Sequence, residues 1–171
     1  SSAVADVHGI IDVAGYTGKV TATITEGGVD ALTHADTGVT GTGHSLTITV
    51  TDAGITAAEL NTINAATIVD VTLAPTGGGV IVVESSTYAT ALTAFQASGF
   101  SGLSTAAVTI SDAITVAEAN VLDALTSGAI TATISDQALS VLGGLTGTGN
   151  AYTTVVLSLI HISEPTRRDQ I

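Results

Sequence analysis

Apolar and hydroxyl-bearing residues alternate along several short stretches of this chain. In VTATIT, Val20, Ala22 and Ile24 fall on one side, and Thr21, Thr23 and Thr25 on the other. In LTITVT, Leu46, Ile48 and Val50 oppose Thr47, Thr49 and Thr51, and Ile130, Ala132 and Ile134 oppose Thr131, Thr133 and Ser135. A period of two marks a half-buried strand with one face in the core. Strand cores of this kind begin near Val20, Leu46, Val69, Val80, Val108, Ile130 and Thr153. Most of the gaps between them are about 22–28 residues, a spacing typical of repeat architectures. The short step from Val69 to Val83 holds Pro75 and the run Gly77, Gly78, Gly79 and reads as a shortened coil or a local hairpin.

Helical patterns lie between the strands. Thr56 with Glu59 and Thr115 with Glu118 have capping-box spacing, in which Thr accepts from the third helical amide and Glu reaches back to the cap. Behind them Leu60, Ile63 and Ala66, or Ala119, Leu122 and Leu125, form an apolar stripe. Tyr88, Ala91, Leu92 and Phe95 repeat that spacing. Such helices are too short to persist alone, because nucleation is costly.

The chain also repeats itself. TDAGITAAELNTINAAT at 51–67 returns as SDAITVAEANVLDALT at 111–126, and the Gly-Thr-Gly of 41–43 returns at 147–149. GIIDVAGYTGKVTATIT at 9–25 aligns without gaps to ANVLDALTSGAITATIS at 119–135. These observations predict an α/β repeat fold: a parallel β-solenoid with short helices between strands, in six or seven coils of about 22–28 residues. One coil cannot bury both of its faces, so 1–156 is expected to be a single elongated block, open at both ends. Residue 1 falls just before or within a unit, so the chain is expected to be a piece of a longer reading frame. At the other end, LSLIHISEPTR resembles an in-frame translation of a transposase-type sequencing-library adapter, and 157–171 is expected to be a non-native tail.

Charge narrows the function classes. The chain has 15 acidic and three basic residues, for a formal net charge of −12. Arg167 and Arg168 sit in the tail with Glu164 and Asp169, which leaves Lys19 as the lone base before them. Nucleic acid and anionic membrane surfaces are bound through clustered Lys and Arg, so neither is an expected partner. With 45% apolar residues the chain is not a disordered acidic segment. It has no Cys, which removes disulfides, thiolate metal sites and a Cys nucleophile. The longest aliphatic run, Val80–Val83, is far short of the roughly 20 apolar residues of a membrane helix, so no membrane span is expected.

Five acids follow strands: Glu26, Asp52, Glu84, Asp112 and Asp136. Stacked coils would space them at about 4.8 Å, and a carboxylate ladder of this kind suits Ca²⁺, which takes roughly six to eight oxygen ligands. The alternative, favoured here, is that each acid opens the turn or caps the helix that follows it. Calcium is thus the one candidate cofactor. His34, Asp36 and His44 are a second metal candidate, weighed against a reading as exposed loop histidines; the aligned copy replaces His44 with Asn150. The Thr rows resemble the ice-contacting face of β-helical antifreeze proteins, with Asp70, Ile81 and Val83 expected to interrupt the array. A carbohydrate-active or carbohydrate-binding solenoid would need carboxylates outside the ladder, with Asp30 and Asp123 as the candidates. It would also normally need a basic residue, for which Lys19 stands alone. No G-x-S-x-G elbow, HExxH, phosphate loop or GxGxxG is present, so no catalytic residues are assigned and no enzyme activity is expected.

The cassette ISDAITVAEANVLDALTSGAITATISD at 110–136, with LTGTGNAYT at 145–153, resembles repeats of very large secreted or cell-surface proteins of marine bacteria and cyanobacteria. That resemblance covers essentially 9–156. It implies an extracellular or cell-surface location and a passive, mechanical or adhesive role. The implied partners are neighbouring repeats of the same chain, surface glycans and other surface proteins.

Overall fold

A computed structural model describes residues 1–14 and 16–154 of the chain; the adapter-like tail lies outside the described residues. The first part runs α1 (Val4–Ile11), β1 (Thr21–Thr23), α2 (Val29–Leu32), β2 (Ser45–Thr47), β3 (Thr49–Val50), β4 (Gly54–Thr56) and α3 (Ala57–Ala66). Then follow β5 (Val71–Leu73), β6 (Val82–Ser86), α4 (Tyr88–Gln96), β7 (Phe100–Ser101), a 3₁₀ turn (Leu103–Thr105) and β8 (Ala107–Ile114). The described chain ends with α5 (Val116–Leu125), β9 (Ile130–Ile134), α6 (Leu139–Leu142) and β10 (Ala151–Thr154).

The fold is α/β, with short helices and parallel strand pairing throughout its sheets. Paired residues lie from 20 positions apart (Thr131 with Ala151) to 29 apart (Val71 with Phe100). Parallel strands need a crossover of about a dozen residues or more, and the short helices occupy much of that length. Among the described residues the strands divide into three sheets, ordered β1-β2, β10-β9-β8-β6-β4 and β3-β5-β7. This division departs from the expected single solenoid of six or seven coils, because the chain passes from one sheet to another between consecutive strands. One change comes at Ile48, which lies between β2 and β3; the Thr47 carbonyl accepts Ile24 N–H while the Ile48 carbonyl accepts Thr72 N–H. Another lies between β5 and β6. The step around Pro75 is neither a shortened coil nor a hairpin: β5 pairs with β3 and β7, and β6 pairs with β4 and β8. Gly77 and Gly78 turn that corner with φ of +90° and +73°, a region where other residues are strained.

Alternation predicts the buried face correctly. Leu46, Ile48, Val50, Ile130 and Ile134 are fully buried, as are Leu60, Ile63, Ala119 and Leu122 on the helices. They join one hydrophobic cluster running from Val4 to Ile134. Both expected capping boxes form, with Glu59 Oε2 accepting Thr56 N–H at 2.8 Å and Glu118 Oε2 accepting Thr115 N–H at 2.7 Å. The two copies at 51–67 and 111–126 are not adjacent, because β6 lies between β4 and β8.

Candidate functional site

A helix leaves its first amides without intrahelical partners. In α1 to α5 the first residue's N–H is bonded to a side-chain oxygen 20 to 29 residues later. Glu26, Asp52 and Asp136 lie just past a strand; contrary to expectation, Asp112 lies inside β8 and Glu84 inside β6. Val4 N–H donates to Glu26 Oε2 at 2.9 Å, and Val29 N–H to Asp52 Oδ2 at 2.6 Å. Ala57 N–H donates to Ser86 Oγ at 2.8 Å, Tyr88 N–H to Asp112 Oδ1 at 2.9 Å, and Val116 N–H to Asp136 Oδ2 at 2.6 Å. Four of the five strand-end acids therefore do cap helices, but not the helices that follow them. Each serves the helix of the preceding unit.

Glu84 is the exception. It is exposed, and the acceptor of its unit is Ser86, two residues on. The β6–β8 register shifts between Val83 and Ser86, and Ser85 takes a positive φ of +40°. That bulge carries Ser86 into the position that the acids hold elsewhere. Ser86 is buried and also donates to the Glu84 carbonyl at 2.9 Å. Among the described residues no group of three or more His, Asp or Glu side chains is gathered as a metal would need them.

One pKa direction follows from these caps. The Glu26 carboxyl is held below its ordinary value, chiefly by the Val4 amide proton and against a smaller opposing effect of desolvation.

Three further side-chain links join units, and the local patterns miss all of them. Thr67 and Thr126, at the C-terminal caps of α3 and α5, are buried. Thr67 Oγ1 donates to the Leu46 carbonyl at 2.7 Å, and Thr126 Oγ1 to the Ala106 carbonyl at 2.6 Å. Asn61 Nδ2 donates to the Thr90 carbonyl at 3.2 Å, and Asn120 Nδ2 to the Gly144 carbonyl at 2.8 Å. The third link is His44, which is not an exposed loop residue: it is 6% exposed, and its Nδ1 accepts Val20 N–H at 3.2 Å. Asn150 does the same work, its Oδ1 accepting Ile130 N–H at 2.8 Å. His34 and Asp36 are exposed, and Asp36 N–H donates to His34 Nδ1 at 3.2 Å within their own loop.

The hydroxyl face forms short rows. Thr23 pairs with Thr47, Thr49 with Thr72, Thr72 with Ser101 and Thr109 with Thr131. Thr133 and Thr153 hydroxyls lie 3.2 Å apart. Ile81 and Val83 do not interrupt this face, because both point into the core. Asp70 is exposed, as expected. Of the two acids outside the ladder, Asp30 is exposed on α2. Asp123 is engaged within the packing, accepting from Asn150 Nδ2 at 2.9 Å and from Thr146 Oγ1 at 3.0 Å. Lys19 is exposed. Among the described residues no helix is long and apolar enough to cross a membrane.

Comparison with protein-family models, with curated proteins and with solved structures finds no match to this chain.

Proposed function

We propose that this chain is a segment of a structural and adhesive array, located outside the cell or on its surface, with no catalysis of its own. In this reading strand–helix units follow one another along parallel sheets, each fastened to the next, as repeats of a longer array. The observation that carries it is the set of five cross-unit bonds to the first amides of α1 to α5. Side chains that enzymes commonly use for chemistry are here engaged in holding one unit to the next. The acidity of the chain fits the same role, since a net charge of −12 keeps separate copies apart and soluble. The partners are neighbouring units of the same chain, surface glycans and other surface proteins.

Two measurements test this. Small-angle scattering should give a radius of gyration clearly above the roughly 15 Å of a compact chain of this length, with an elongated distance distribution. Incubation with a panel of plant and algal polysaccharides should release no new reducing ends. A compact scattering profile would overturn the stacked array, and released sugar would overturn the non-catalytic role.

A further inference from the structure

Counted from the first residue of each helix, Ile11 of α1 stands where Asp123 stands in α5. Val4 and Val116 are capped alike by Glu26 and Asp136, and His8 and Asn120 each reach a carbonyl of a later loop. His44 and Asn150 occupy matching positions and each accepts the first amide proton of a strand region, Val20 or Ile130. The two sites differ in what meets the other polar atom. Asn150 Nδ2 donates to Asp123 Oδ1 at 2.9 Å, and Thr146 Oγ1 donates to the same carboxylate, which closes the later site. In the earlier site Ile11 stands in that place and supplies no acceptor. His44 Nδ1 is taken by the Val20 amide, so the imidazole is the tautomer that carries its proton on Nε2. Among the described residues that Nε2–H has no hydrogen-bond partner, and it is open to solvent at the cleft rather than sealed in the core.

The unpaired donor borders a cleft of about 280 Å³, lined by Ile11, Tyr16, Thr17, Gly41, Thr42 and His44 among others. Gly41 keeps the nitrogen reachable, since a Cβ there would lie 2.6 Å from Nε2. Tyr16 folds over Gly18 to form one wall. The volume is just under the roughly 300–1,000 Å³ of typical small-molecule pockets, which suits a single small ring. None of the lining residues carries a formal charge: the cleft offers one imidazole N–H, two threonine hydroxyls that both donate and accept, and an aromatic face. Among the described residues no cation lines it, and the chain is strongly acidic, which disfavours an anion.

We propose that this cleft is a binding site for a neutral polyhydroxylated ring, a single sugar residue. His44 Nε2–H donates to a ring hydroxyl, Thr17 and Thr42 complete the polar contacts, and Tyr16 packs against the ring's C–H face. The site goes beyond the structural role proposed above and does not depend on it.

The test is ligand titration by ¹H–¹⁵N and aromatic ¹H–¹³C NMR, with neutral methyl hexopyranosides as probes and sodium sulfate and sodium acetate as controls. At least one sugar should give saturable shifts at Tyr16 and His44 with a Kd in the millimolar range, while the anions give none. Ile11→Asp, at a half-buried residue of the cleft wall, introduces a carboxylate at the position of Asp123 to take up the Nε2–H. It should abolish binding in the folded protein. Tyr16→Ala, at a residue 39% exposed, should weaken binding about tenfold or more and decides the matter if Ile11→Asp fails to fold. The site is overturned if no neutral sugar gives saturable shifts, if sulfate or acetate binds in its place, or if both folded variants bind as the wild type does.

Discussion

Asp52 Oδ2 accepts the Val29 amide proton at 2.6 Å, which ties the end of one strand region to the first turn of a helix 23 residues earlier. Asp136 and Val116 repeat the arrangement at 2.6 Å across 20 residues. A carboxylate placed there satisfies an orphan amide and faces the positive end of the helix dipole. The same bond completes a helix and fastens it to its neighbour.

Asp136→Ala should therefore lower stability by about 1–2 kcal/mol, the usual cost of losing a helix cap. Glu84→Ala should change it by less than about 0.5 kcal/mol, as at an ordinary surface site. Urea denaturation midpoints at unchanged slope measure both. Equal losses at the two positions would return Glu84 to the same role as the other acids.

Glu26 brings a pH dependence of known sign. Its carboxyl is depressed in the folded chain relative to the ordinary 4.5, so the stability it contributes is present above that value. It is lost as pH falls through the lower, folded value. Glu26→Gln should flatten the acid limb of a stability-against-pH curve and leave the neutral region much less affected. An unaltered acid limb would contradict the Val4 contact.

Ser86 and Thr126 are buried hydroxyls that serve backbone groups across units. Ser86→Ala leaves the Ala57 amide without its partner, and Thr126→Val leaves the Ala106 carbonyl without its hydroxyl donor. Each should cost about 1–3 kcal/mol. Thr62→Ala, on the exposed side of α3, is the control and should be nearly neutral. Loss at Thr62 equal to that at Ser86 would remove the cross-unit explanation.

Four of the five strand-end acids are occupied by backbone amides of single helices, an arrangement that does not need a cation to relieve repulsion. The melting midpoint should be the same with excess chelator and with millimolar calcium. A substantial rise with calcium would show that the carboxylates act together as a ladder.

What was legible in the sequence was local. Thr56 with Glu59 and Thr115 with Glu118 announce their helices within four residues, and the alternation of Leu46, Ile48 and Val50 marks the buried face. The strand-end acids also stood out, but their direction did not, because an acid at a strand end looks the same whichever helix it serves. Its partner lies 20 to 24 residues back and is a backbone amide, which carries no signature in the sequence. Ser86 was hidden by the bulge at Ser85, which moves the cap two residues past Glu84. The exchange of His44 for Asn150 looked like indifference to the residue type. It preserves one function, an acceptor for a strand amide, with two different side chains. The corner at Pro75 was visible as a break, but the sequence alone does not reveal that β5 and β6 join different sheets.

Residue-resolved hydrogen exchange of the Val116 amide, in the wild type and in Asp136→Ala, bears most directly on whether neighbouring units are held together through their helix starts. In the wild type this amide should be protected well beyond an unbonded first-turn amide. Asp136→Ala should strip protection from Val116 while Val29 and Tyr88, held by Asp52 and Asp112, stay slow. A Val116 amide that exchanges freely in the wild type, or equally slowly in both proteins, would contradict cross-unit capping.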